Sequence, residues 1–209
     1  MEKYYFDETQ PRVTVGDGVV LLLINGREEK EVMSSMPDMD GMATTELVER
    51  KVWVYDGVRL ETGGMTSEAA LTAAAQKMVL AEIEQHDASP SVNSFVLDGQ
   101  RVWLDFELRD RVYQGNERLK NVGREETTLW FGDKCYNMSI EQAQSIISHI
   151  EAYAKDCYNA TAQHKANVSA MKTVEDVLGY DYTKGYPEKL TSSLSEKGKV
   201  KSEKSDGPC

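Results

Sequence analysis

Apolar and polar positions alternate over residues 1–64 in short runs separated by glycine-containing dipeptides, the pattern of a β-rich region. Val13-Thr-Val15 and the aliphatic run Val19–Ile24 flank Gly16-Asp17-Gly18, and Lys51–Tyr55 and Val58–Leu60 flank Asp56-Gly57. Such turns need positive φ, which Asn-Gly and Asp-Gly supply, so both pairs are predicted as hairpins, with Asn25-Gly26 as another turn dipeptide. Glu28 to Thr45 is polar, rich in Met and interrupted by Pro37, and is expected to be a loop.

After Gly63-Gly64 the period changes. Leu71, Ala75, Met78, Val79 and Ile83 recur at spacings of three and four, which predicts a helix over Ser67–Gln85 with Thr66 as its N-cap. Ser94–Leu97, Asp98-Gly99 and Arg101–Leu104 predict a hairpin, and residues 105–123 a helix closed by Gly123. Thr127–Phe131, Gly132-Asp133 and Lys134–Met138 predict another hairpin. Ser139 and Gln142 form a capping box, in which two side chains reciprocally satisfy orphan backbone donors at a helix start. The helix it opens is predicted to reach about Met171, with an apolar stripe of Ala143, Ile146, Ile147, Ile150, Tyr153, Ala154, Cys157 and Tyr158. Glu151 and Lys155 are expected to pair on its other side. A short helix follows at Val174–Leu178, then the aromatic segment Tyr180–Pro187. These elements predict an α+β fold: a β-rich region at 1–64, an α+β domain at 65–190, and a flexible polar tail at 191–209.

Charge narrows the function classes. The chain has 24 Lys+Arg against 35 Asp+Glu, a net charge of −11. The tail from Thr191 has four Lys against three acids, leaving −12 on the rest. That balance argues against a nucleic-acid binder, which must neutralise phosphate. The longest aliphatic run has six residues, against about 20 for a membrane-spanning helix, so no membrane insertion is expected. The start carries neither a basic region nor an apolar signal core, which leads to the expectation of a cytoplasm-like compartment. Cys135 and Cys157 are then expected as thiols, and Cys209 as an exposed one.

Candidate chemistry is sparse. Pro37–Gly41 invites a calcium-loop reading, but aligning Gly41 with the obligatory glycine puts Met36 and Leu47 at ligand positions, and neither offers a hard oxygen. His149 and His164 are fifteen residues apart on one predicted helix, about 22 Å of rise, too far to share a small site. His86 ends the earlier helix, where a cationic form would favour the helix dipole. The acidic pairs Glu28/Glu29, Asp105/Glu107 and Glu125/Glu126 are what 35 acids produce on a solvated face. No catalytic residue, metal ligand or cofactor is assigned, and the protein is expected not to be an enzyme. Aromatic residues are the more informative set, because Tyr and Trp serve either as core or as contact anchors. Tyr180, Tyr182, Tyr186 and Pro187 are the candidate partner-binding segment.

From about Ala81 to Leu190 the residues themselves are familiar. Ser91–Phe95, Val102-Trp103-Leu104-Asp105, Thr127–Phe131, Tyr153–Thr161, His164–Ala166 and Tyr180–Leu190 resemble a family encoded by tailed phages and prophages, common in gut Bacteroides, that shares a C-terminal domain of unknown function. The signature residues Trp103, Trp130, Phe131, Tyr153, Cys157, Tyr158, Asn159 and His164 are expected to be structural. Lys3–Phe6 and the Tyr186–Lys189 ending are, more loosely, similar to tail-fibre assembly proteins. The resemblance implies a setting: a tail or tail-fibre component, or an assembly factor, whose partners are other tail or fibre proteins, with self-association open. It implies residence in the host cytoplasm during assembly and, for a component, in the virion. A glycan-acting enzyme of the tail tip and a prophage regulatory or host-interaction protein are the alternative classes.

Overall fold

A computed structural model describes residues 1–34, 47–103, 105–131 and 134–193. The fold is α+β, organised as two compact units: Met1–Val79 with Met171–Tyr180, and Leu80–Ala170 with the segment that begins at Asp181.

In the first unit β1 (Glu2–Phe6), β2 (Val13–Gly16), β3 (Val19–Ser34) and β4 (Leu47–Glu61) form an antiparallel sheet in the order β1-β4-β3-β2. The β2–β3 hairpin turns at Asp17 and Gly18, both at positive φ, as the dipeptide predicts. The other two glycine dipeptides do not turn. Gly57 lies inside β4, opposite Leu23, and the predicted hairpin at Asp56-Gly57 is one continuous strand. Asn25 and Gly26 instead form a β-bulge, two residues opposing Tyr55 alone, with Asn25 at φ 55° and its amide donating to Asp56 at 3.0 Å. The missing side chains make room for rings. A Cβ on Gly57 would come within 2.5 Å of the Tyr4 ring, and one on Gly26 would overlap the Tyr55 ring. Strand β3 also continues through Ser34, so the first part of the predicted Glu28–Thr45 loop is strand. The Pro37–Gly41 segment lies outside the described residues.

Helix α1 (Glu68–Ala88) begins one residue later than predicted. Ser67, not Thr66, caps it, its hydroxyl accepting from the Ala70 amide at 3.3 Å. Val20, Leu22, Val54, Leu60, Leu71, Ala75, Val174 and Val177 are the most deeply buried apolar residues of this unit. The last two come from α4 (Val174–Leu178), capped by Thr173.

The second unit contains the C-terminal half of α1, the hairpin β5 (Phe95–Leu97) and β6 (Gln100–Val102), α2 (Phe106–Asn121), the hairpin β7 (Glu126–Phe131) and β8 (Lys134–Ser139), and α3 (Ile140–Ala170). Asp98 and Gly99, at φ 46° and 76°, close the β5–β6 turn, as expected. The capping box is present: the Gln142 amide donates to the Ser139 hydroxyl at 3.1 Å and the Ser139 amide to the Gln142 side chain at 3.2 Å. Phe95, Leu97, Leu129, Phe131, Ala143, Ile147 and Ile150 form the core, each large side chain stabilising by roughly 1.5–3 kcal/mol on burial. Thr191 and Ser192 form β9 (Thr191–Ser192), parallel to β5, so the first residues of the predicted tail are strand. Residues 194–209 lie outside the described residues. Cys135, expected as a thiol, is disulfide-bonded. Compartment reasoning says nothing of which sulfurs a fold brings within bonding distance.

Candidate interaction surface

Helices α2 and α3 run antiparallel, and one buried cation fixes their seam. Asp105 caps α2, its carboxylate accepting from the Leu108 amide at 2.7 Å. One turn on, Arg109 is only 5% exposed, and its Nε donates to the Glu151 carboxylate at 2.7 Å. Its guanidinium also lies 5.5 Å from the Trp103 ring centre and 5.9 Å from that of Phe106. Further along, Gln144 on α3 donates to Glu117 on α2. Glu151 therefore pairs with Arg109 and not, as its spacing suggests, with Lys155. A buried guanidinium that lacks a counter-charge costs far more than an exposed i,i+4 pair returns.

The outer side of this seam is a groove of about 380 Å³ lined by Phe106, Arg109, Asp110, Tyr113, Ile147, Ser148 and Glu151. Phe106 is 66% exposed and Tyr113 37% exposed. Ser148, Glu151, Lys155 and Tyr158 follow one another at spacings of three, four and three, so they share a face of α3. Tyr158, predicted within the apolar stripe, stands 64% exposed, with the Lys155 ammonium 5.4 Å from its ring centre. The seam is thus an aromatic surface with a neutralised arginine in its floor. Sequence reasoning passed over it because Glu107-Leu-Arg-Asp-Arg111 looks like any solvated helix face. The spacing of Phe106, Arg109, Asp110, Tyr113 and Glu117 was the available signal.

The predicted partner-binding segment is divided. Tyr180 belongs to the first unit, and Tyr182, Tyr186 and Pro187 to the second, all half-buried. The Tyr182 hydroxyl donates to Glu82 at 3.2 Å, and the rings of Tyr182 and Tyr186 stand edge-on to His86 at 5.8 and 5.2 Å. Tyr186 also lies 5.3 Å from the buried His164 ring. Thr161 gives its one hydroxyl proton to Asp87 at 2.6 Å, so at 3.0 Å the Tyr186 hydroxyl is the donor to Thr161. Burial raises the phenol pKa of Tyr182 and of Tyr186. Beyond them, the Lys189 ammonium faces the carbonyls of Ser91 at 2.6 Å and Ser94 at 3.0 Å, with those of Pro90 and Val92 at 3.3 Å. The segment is fastened by its own helices and by the 90–94 loop.

The remaining signature residues separate by environment. Phe131 is buried edge-on to Phe95 and Tyr136, while its neighbour Trp130, on the other face of β7, is 57% exposed. Tyr153 is buried, its hydroxyl donating to the Val92 carbonyl at 3.2 Å, and desolvation raises its pKa. Cys157 is a buried free thiol pushed up by the same effect, Trp103 is half-buried, and Asn159 is exposed on α3. Among the described residues no group of three or more His, Cys, Asp or Glu side chains is arranged to hold a metal ion, and no helix is long and apolar enough to cross a membrane. The chain matches no protein-family description, no curated protein and no solved structure.

Proposed function

We propose that this protein is a non-enzymatic phage tail-associated protein, a tail or tail-fibre component or a fibre assembly factor, that works through protein–protein contacts. The observation that carries the contact role is the α2–α3 seam, where Phe106, Tyr113 and Tyr158 expose aromatic surface beside a groove of about 380 Å³. Aromatic residues around a concave surface are the side chains that dominate protein contact energies. The tail setting comes from the phage-type residues, Ser91–Phe95 and Tyr180–Leu190 among them. A net charge of −11 favours a protein partner over nucleic acid.

Quantitative mass spectrometry of purified particles, together with affinity purification from infected cells, tests this reading. A component appears in particles in stoichiometric amount. An assembly factor appears only with tail or fibre proteins in the cell. Recovery of neither would sink the proposal.

A further inference from the structure

We infer that the turn at residues 90–94 is a binding site for a large monovalent cation, and that Lys189 is the cation it holds in this chain. Just past α1, the amides of Val92 and Asn93 both bond back to the Ser89 carbonyl, at 3.1 and 2.7 Å. That is one more helical turn, and the carbonyls of Pro90, Ser91 and Val92 are left without intrahelical donors. They carry the partial negative charge of a helix C-terminus. Together with Ser94 they converge on the Lys189 ammonium. The carbonyl oxygen of Ser91 lies at 2.6 Å, that of Ser94 at 3.0 Å, and those of Pro90 and Val92 at 3.3 Å. A fifth oxygen is the Ser94 hydroxyl, also at 3.3 Å, in a residue only 3% exposed. This hydroxyl donates its one proton to the Pro90 carbonyl at 2.7 Å, so its lone pairs are left for the ion. The Tyr153 ring centre, 5.8 Å from the ammonium, adds an aromatic face.

Charge and size select the ion. The ring is built of neutral oxygens and holds no carboxylate, which a divalent site would supply. Calcium draws its oxygens to about 2.3–2.6 Å and magnesium to about 2.0–2.1 Å, closer than all but the Ser91 oxygen stands here. Potassium and ammonium, with a lower charge density, suit the wider ring, and carbonyls that replace a hydration shell are how potassium is held in channel filters. Pro90 and Ser91 are exposed, so a free ion reaches the ring once the lysine head is gone. In the native chain the ion arrives on the segment that bears β9, so the 90–94 turn and the β5–β9 pairing are ordered together.

The test uses the full chain, isotope-labelled, carrying Lys189→Ala. Thermal unfolding and amide resonances are compared in chlorides of potassium, ammonium, methylammonium, lithium and tetramethylammonium at equal ionic strength. Wild type, and Lys189→Met, whose stem fills the ring without a charge, give the general salt response. The Ala variant is expected to exceed that response in potassium, ammonium and methylammonium, but not in lithium or tetramethylammonium. The excess in Tm is about 3 °C, the shift that tenfold saturation of one site produces in a chain of this size. Potassium is expected to move the resonances of residues 89–94 in the Ala variant and to leave those of Lys189→Met in place. Folding of the Ala variant in potassium but not in lithium would support the site equally. An Ala variant that follows the general response in every salt, or stays unfolded in all of them, overturns the inference. So do potassium shifts confined to other residues, and rescue by ammonium and methylammonium without potassium, which would mark a site for hydrogen-bond donors alone.

Discussion

Replacing Gly26 by Ala tests whether the bulge in β3 exists to seat a ring. The new Cβ overlaps the ring of Tyr55, which is 8% exposed and whose hydroxyl accepts the Gln10 amide at 3.0 Å. A buried, bonded ring cannot swing into solvent at little cost. Losing the hydrogen bond costs about 1 kcal/mol. Forcing the ring off its rotamer in a packed site costs about 2 kcal/mol. Restricting the unfolded chain returns about 0.7 kcal/mol. The expected net loss is therefore about 2 kcal/mol, which in a chain of this size lowers Tm by roughly 4–8 °C. The control is Gly16→Ala, at a position with no atom within 4 Å of the added carbon and no positive φ. It is expected to be neutral or slightly stabilising. Urea and thermal unfolding followed by circular dichroism measure both. Equal stability of the two variants would refute the argument that ring packing, and not turn formation, selects glycine at position 26.

Three further outcomes follow from the second unit. Ser139→Ala removes the hydroxyl acceptor of the capping box and is expected to destabilise by about 1 kcal/mol, seen as a lower urea midpoint with an unchanged slope. Lys189→Met keeps the stem but removes the ammonium from the carbonyls of Ser91 and Ser94. A loss of about 2 kcal/mol is expected, with faster amide exchange at Val96 and Asp98, which bond to Leu190 and Ser192. Tyr153, Tyr182 and Tyr186 all titrate above the usual phenol value of 10.0. A raised folded pKa means that their stabilisation is complete below pH 10.0 and is lost as pH climbs through the folded values. Cys157, raised from 9.0 by burial, follows the same rule, so unfolding free energies measured from pH 8 upward should start to fall above about 9 and fall more steeply above about 10, and Tyr186→Phe should flatten the steeper part.

Local patterns in the sequence determined most helices and hairpins beyond Gly64. The Ser139–Gln142 box, the Asp98-Gly99 turn, the three-and-four stripe of α1 and the closing Gly123 are each decided by backbone groups a few residues apart, and each appears as read. Fold class followed from them. The failures share another cause. Asn25-Gly26 and Asp56-Gly57 carry turn chemistry, yet both lie within the β3–β4 pair, because Tyr55 and Tyr4, distant in sequence, need the space that a missing side chain leaves. Glu151 has an i,i+4 partner on its own helix, yet turns to Arg109, because a guanidinium withdrawn from water requires a carboxylate more than an exposed lysine does.

The same division holds for the surface. Composition placed the aromatics and the negative charge, and so pointed to a protein partner. Which rings face outward was settled only by packing: Tyr182 and Tyr186 turn onto His86 and His164, and Phe106, Tyr113 and Tyr158 remain in solvent. Period fixes a residue's angle on its own helix, but exposure depends on what the neighbouring element covers, and that is a property of the tertiary fold.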